Sequence, residues 1–213
     1  MTKILRIDSS SRPEAASPTA EGSYSRRLAT MVTSHLTGAG HSISIVKRDL
    51  VEDPMSHISI QTIAGYYTPE EQRSPELKDA TALSDKLIAE INEADILVLS
   101  VPIYNFSIPS CLKAWIDQIV RINESFAYED GNFRGLVSGK KAYVCFSYGA
   151  GGYLNDGPLA GYDYMAPYIA MILNFIGIED VTTFAIEATT ADADTIATQM
   201  ATTTASINQH FAT

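Results

Sequence analysis

Residues 98–113, VLSVPIYNFSIPSCLK, decide how this chain is read. They close an apolar run, Ile96-Leu97-Val98-Leu99-Ser100-Val101, whose composition is that of a buried strand. Pro102 lacks the N–H that a central ladder needs, so the chain turns there, and a helix is expected from about Pro109. In an open α/β sheet, ligands bind outside the carboxyl ends of the strands. The loop at this strand end carries Tyr104, Asn105 and Phe106, two rings flanking an amide that both donates and accepts hydrogen bonds. Those groups suit a flat heteroaromatic ligand.

The flanking sequence repeats the strand-loop-helix step. Residues 3–8 (KILRID) read as a first strand, and 9–22 form a long polar loop. From Ser23, Leu28, Met31, Val32 and Leu36 share a helical face that Gly38 and Gly40 end. Residues 42–46 alternate as a second strand, and 53–75, with three prolines and no sustained period, read as an irregular excursion. Residues 77–92 form a helix with Ala80, Leu83, Leu87 and Ile91 on one face. After the third strand, Leu112, Trp115, Ile116, Ile119 and Val120 make a wide apolar stripe. Residues 125–137 read as a loop turning at Asp130-Gly131, 140–146 as the fourth strand and 181–186 as the fifth. A helix from Pro167 to Asn174 separates those two strands, and residues 192–211 close the chain as a threonine-rich helix. The expectation is one α/β domain over 1–213, a doubly wound five-stranded parallel sheet in the order 2-1-3-4-5, with helices on both faces.

Composition narrows the partners. The 213 residues are 46% apolar and 19% charged, ordinary for a soluble globular protein. A formal charge of -10 disfavours nucleic acid, and no stretch reads as a signal peptide or membrane anchor, so a cytoplasmic location is expected. Cys111 and Cys145 stand far apart without a motif, and His35, His41, His57 and His210 lack metal-ligand spacing, so no metal is expected.

Three loops carry the candidate chemistry. Ser10 follows the first strand and Ser23-Tyr24-Ser25 open the first helix, where hydroxyls and unpaired N–H groups suit a phosphate, with Arg26 or Arg27 beside them. Ser23 alone also reads as a plain N-cap. Ile103, Tyr104, Asn105 and Phe106 offer backbone and amide groups to a ring edge. Ser147, Tyr148, Gly149 and Gly152 form a glycine-rich loop that approaches a ligand closely or is merely flexible. Together they match the phosphate, ring edge and ring face of flavin mononucleotide (FMN). Gly149-Ala150-Gly151 starts a dinucleotide fingerprint, but Leu154 stands where the third glycine belongs. With no nucleophile elbow and few acids or bases at these loops, redox chemistry by a bound cofactor fits best, and no side chain is assigned as catalytic.

On these residues the chain resembles the FMN-dependent NADH-azoreductases, also NADH:quinone oxidoreductases, of flavodoxin-like fold. The resemblance rests on Ser9-Ser10, Ser23-Tyr24-Ser25, SVPIYNFSIPSCLKAWID, FAYEDGNFRGLVSGKKA, Asp156-Gly157-Pro158 and NFIGIEDV. It implies a homodimer with FMN at the interface and ping-pong transfer of two electrons from NADH or NADPH to quinones, with cleavage of aromatic azo compounds. It also implies that Tyr128 and Phe175 reach toward the partner's flavin and shape the substrate pocket; a loop anchor and a core ring are their plainer readings. The loop from Ser147 is longer than the family's and carries Tyr148 in place of an arginine. Two other readings stay open: a flavodoxin-type electron carrier and a flavin-binding regulator without turnover.

Overall fold

The computed structural model describes residues 1–14, 22–38 and 42–212; residues 15–21 of the serine-rich loop, Gly40 and His41 lie outside that set. Among the described residues the chain runs β1 (Thr2–Asp8), α1 (Tyr24–Gly38), β2 (Ile43–Asp49), α2 (Ile60–Tyr66), α3 (Pro75–Glu93), β3 (Ile96–Pro102) and α4 (Ser110–Ile119). It continues through β4 (Phe126–Glu129), β5 (Asn132–Gly135), β6 (Lys141–Ser147), α5 (Ala166–Ile176), β7 (Asp180–Ile186) and α6 (Ala193–Phe211). A parallel five-stranded sheet has the order β2-β1-β3-β6-β7, and β4 and β5 form a separate hairpin.

Strand alternation explains why the sheet needs cover on both faces. On one face Leu5, Ile7, Leu97, Leu99, Val144 and Phe146 pack with Leu87 and Ile91 of α3, Leu112 and Trp115 of α4, and Ile169 and Leu173 of α5. On the other, Ile4, Val98, Tyr143 and Cys145 meet Leu28 and Val32 of α1 and Ile207 of α6. Each large side chain so buried contributes about 1.5–3 kcal/mol. Strands buried on both sides read as continuous apolar runs, as 96–101 does. The register sets Asp8 beside Asp49 and Ser100, and Pro102 beside Ser147, so the strand ends share one rim.

The structure corrects several expectations. The excursion 53–75 contains α2, opened by a capping box in which Ser59 and Thr62 bond reciprocally. Two helical turns are too short to show a period. This helix lies so close to α3 that a Cβ on Gly65 would stand 2.5 Å from Thr81 Cγ2. On α3, Thr81, Ser84 and Ile88 are buried along with the expected Leu87 and Ile91; Leu83 also packs against this core, half-buried, and Ala80 is half-buried. The segment 125–137 is the β4–β5 hairpin, its turn held by positive φ at Asp130 (51°) and Gly131 (79°), and β2 continues through Lys47 and Arg48 to Asp49. The threonines of α6 suit it: Thr198, Thr202 and Thr203 donate to carbonyls four residues back, and Thr203 also to Ala185 O of β7.

Candidate functional site

Serine hydroxyls knit the rim together. Ser9 donates both its N–H (3.2 Å) and its hydroxyl (2.7 Å) to Ser100 O, and the Ser100 hydroxyl donates to Ser25 Oγ at 3.0 Å. Ser25 is 3.2 Å from Ser23 Oγ, which accepts the Arg26 N–H at 3.3 Å and so caps α1. Above this base lies a cleft of about 200 Å³. Ser10, Arg12, Ser23 and Tyr24 form one side, Ile103 and Tyr104 a second, and Ser147, Gly149, Thr189 and Thr190 the third.

The Tyr104 loop has an unusual backbone. Tyr104 and Ser107 exchange N–H···O bonds of 2.9 and 3.1 Å across a two-residue turn, and both tip residues are left-handed, Asn105 at φ 48° and Phe106 at φ 70°. A turn of this type favours Asn and Gly; a phenylalanine there stores about 1–2 kcal/mol of strain, a cost concentrated at functional sites. The turn is clamped by Ile103 N–H on Ser147 O (2.9 Å) and Tyr164 N–H on Phe106 O (3.0 Å). Among the described residues, the exposed Asn105 and Phe106 N–H groups have no intrachain partner. The Tyr104 hydroxyl accepts the Ser11 N–H at 3.0 Å and lies 2.7 Å from Ser11 Oγ, joining the first loop to the third strand end. Beyond Tyr104 opens a cavity of about 820 Å³ faced by Asn105, Ser110, Lys113, Tyr164 and Tyr168.

Beneath the serine loop sits a buried ion network. Asp8, fully buried, lies 3.1 Å from Arg6 Nε, 3.3 Å from Lys47 Nζ and 3.7 Å from Arg26 Nη1. Arg26 donates to both Asp49 oxygens, one at 2.9 Å, and to Ser10 O at 2.7 Å. Burial works against the Arg26 charge, and the Asp49 bond with the charges of Asp8 and Asp49 overcomes it, raising the guanidinium's pKa. Arg26 therefore steadies the Ser10 carbonyl rather than facing the cleft, and Arg27 lies over the Tyr24 ring at 5.0 Å.

Other candidates fall away from the cleft. Ser25 is sealed beneath it. Tyr148 continues the inward register of Val144 and Phe146: its ring stacks on Tyr153 at 4.9 Å, and its hydroxyl donates to Asp163 Oδ2 at 2.8 Å. Burial, then the Asp163 bond and charge, push this phenol's pKa well up. Gly152 gives its N–H to Glu187, so Ser147 and Gly149 are the loop's residues at the cleft. Phe106 packs on Tyr162 at 5.7 Å. Phe175 belongs to an aromatic group with Phe126 and Phe133 on the hairpin side, and Tyr128, 54% exposed, contacts it through Phe133 at 4.8 Å. Thr189 and Thr190 escaped sequence reasoning, although they follow the fifth strand and the strand-end rule applies to them equally. Among the described residues no cluster of His, Cys, Asp or Glu is arranged to hold a metal.

Comparison with known proteins identifies the fold and the family. A profile of the flavodoxin-like fold matches residues 2–211. The FMN-dependent NADH:quinone oxidoreductase of Xanthobacter autotrophicus is 47% identical over 181 residues, 85% of this chain and 84% of the relative. The protein of the same name from Herminiimonas arsenicoxydans is 37% identical over 209 residues, 98% of each chain. Among solved structures, an azoreductase from Bacillus anthracis superposes with a TM-score of 0.86 at 23% identity, covering 99% of both chains. An FMN-dependent NADH-azoreductase from the same species, in complex with FMN, gives 0.80 at 21%, covering 98% and 99%. The chain belongs to the flavodoxin-like family of FMN-dependent NADH:quinone oxidoreductases.

Proposed function

We propose that this oxidoreductase binds FMN across the rim and transfers two electrons from NADH or NADPH to quinones, and to aromatic azo compounds that share their planarity. The observation that carries the proposal is the strained Tyr104–Ser107 turn, whose two tip N–H groups and Asn105 amide have no intrachain partner among the described residues and stand at the edge of the Ser10–Ser23 cleft. That donor set fits FMN. Ser10, Ser23 and the start of α1, with Arg12, would hold the phosphate; Asn105 and the turn's N–H groups would meet the polar ring edge; Ser147 and Gly149 would close the far side. Bound FMN supplies the two-electron chemistry that these side chains lack.

The chain's own part is positioning. The wall of Tyr104, Tyr164 and Tyr168 beside Asn105 suits flat conjugated molecules. Donor and acceptor would use this one space in turn, a ping-pong order that requires the first to leave before the second enters. The outward aromatics Tyr128 and Phe133, 54% and 62% exposed, support a homodimer in which the hairpin of each subunit reaches the other's flavin. Two cysteines without a disulfide suit the cytoplasm, and among the described residues no helix is long and apolar enough to cross a membrane.

Visible absorption of the purified protein, recorded before and after anaerobic NADH and again after a quinone, tests the reading. A flavin spectrum that bleaches and then recovers is expected. Bound flavin that NADH leaves unchanged would favour a carrier or regulator, and failure to take up FMN would overturn the assignment.

A further inference from the structure

One carboxylate joins the two loops that form the third side of the cleft. Glu187 immediately follows β7, and its Oε2 accepts the N–H groups of Gly152, Tyr153 and Leu154 at 2.9, 3.0 and 3.2 Å. Three consecutive N–H groups converging on one oxygen make an anion nest, and bonds to an ionised acceptor are the strong ones. The backbone is shaped for it. Gly152 sits at φ 95° and Ala188 at φ 57°, and a Cβ on Gly157 would stand 2.5 Å from Gly152 O.

Bonds also run the other way. Ala188 N–H donates to Ala150 O at 3.2 Å, Thr189 donates its N–H and hydroxyl to Tyr148 O at 3.1 and 3.0 Å, and Thr190 donates both to Gly149 O at the same distances. Gly149, Thr189 and Thr190 face the cleft, whereas Glu187 does not line it. The stack of Tyr148 on Tyr153 and the Tyr148–Asp163 bond hold the same loop independently, so removing the carboxylate loosens the wall without unfolding the chain.

We infer that Glu187 is a positioning residue, whose carboxylate sets the wall of Gly149, Thr189 and Thr190 and thereby the affinity for FMN and the KM for the molecules that follow it. The inference rests on the FMN reading above, but the nest itself is measurable in the protein without flavin. Amide hydrogen exchange at residues 152–154 would be compared in the wild type, Glu187→Ala and Glu187→Gln, with Glu93→Gln, an exposed partner of Lys3, as control. FMN affinity would be read by quenching of the chain's single tryptophan, Trp115.

In Glu187→Ala, exchange at 152–154 should rise about tenfold or more, the FMN Kd and acceptor KM should each rise about tenfold, and kcat at saturating FMN should change less than about twofold. Glu187→Gln should fall between, and added acetate, which fits the vacated nest, should restore part of the Glu187→Ala loss. A wild type that fails to bind FMN refutes the cofactor reading. Exchange that is unchanged, or that rises with FMN Kd and KM unmoved and no acetate rescue, refutes the role of Glu187. Should Glu187→Ala not fold, Glu187→Gln carries the same readouts.

Discussion

Replacing Arg26 with methionine tests whether the buried ion network holds up the serine loop. Arg26 is 4% exposed and donates to Ser10 O and to both Asp49 oxygens, so the substitution removes three bonds and leaves two carboxylates short of a cation. Removing one partner of a buried pair costs about 3–5 kcal/mol. Asp8 keeps Arg6 at 3.1 Å and Lys47 at 3.3 Å, which places the expected loss near the lower end, about 3 kcal/mol. For a chain of this size that is roughly 6–12 °C in Tm. Urea unfolding at pH 7 measures it directly. Acid gives a second check: burial raises the Asp49 carboxyl, but the bond from Arg26, the Val51 N–H and the Arg26 charge outweigh that and hold it below its ordinary pKa. A carboxyl depressed in the folded state contributes its stability above the unfolded pKa, about 3.9, and loses it as pH falls through the folded one. The gap between wild type and Arg26→Met should therefore be full at pH 5–7 and narrow below about pH 4. A loss under about 1 kcal/mol, or a gap constant from pH 7 to about pH 3, would refute the reasoning.

Gly135→Ala should destabilise by about 1–3 kcal/mol in thermal melts and displace the hairpin that carries Tyr128, because the new Cβ would meet Gly177 N at 2.2 Å and Ile176 C at 2.4 Å, both backbone. Tyr148→Phe should cost about 1–3 kcal/mol by urea unfolding, since Asp163 Oδ2 loses its buried donor. In ultraviolet titration of the wild type, the Tyr148 phenol, pushed up by burial and Asp163, should stay neutral through pH 10–11 and ionise only as the chain unfolds; its stabilisation is full below the unfolded pKa of about 10 and fades above it. Burial raises both thiols, so in native protein at pH 8 Cys145 should not react with Ellman's reagent and half-buried Cys111 should react slowly, with both cysteines reacting in denaturant.

What the sequence revealed follows from the period of each element. The run at 96–101 is apolar on both faces, and Leu28, Met31, Val32 and Leu36 keep one helical stripe; such patterns survive without knowledge of neighbours. Tyr148 shows a signal passed over: Ala142, Val144 and Phe146 alternate inward, and one more step of two places Tyr148 in the core as well. The hairpin turns Tyr128 and Phe133 outward and buries only Ala127, so its strands lack the alternation that marks a half-buried sheet. Arg26 looks like a solvent-facing helix residue until the β1–β2 register brings Asp8 and Asp49 together beneath it. Glu187 carries no sequence signal, because its partners are backbone N–H groups more than thirty residues away.

The same alternation explains why the cleft is so poor in acid–base groups. At each strand end one residue turns into the core and its neighbour faces the ligand side: Ser9 is spent on Ser100 while Ser10 lines the cleft, and Tyr148 is buried while Ser147 and Gly149 are presented. The charges near the rim, on Asp8, Arg6, Arg26 and Asp49, are paired with one another below it, so Arg12 is the charged side chain among the cleft's described lining. Neutral donors and backbone N–H groups bind and orient without exchanging protons. On the FMN reading proposed above, such a site gains rate by holding two planar reactants in register, so substitutions at Asn105 should act on binding and orientation and leave no ionisation in the pH profile. A kcat/KM profile for Asn105→Ala parallel to the wild type between pH 6 and 9, and lower throughout, is the expected result; a lost or shifted inflection would mean that a proton-transfer group works at this rim after all.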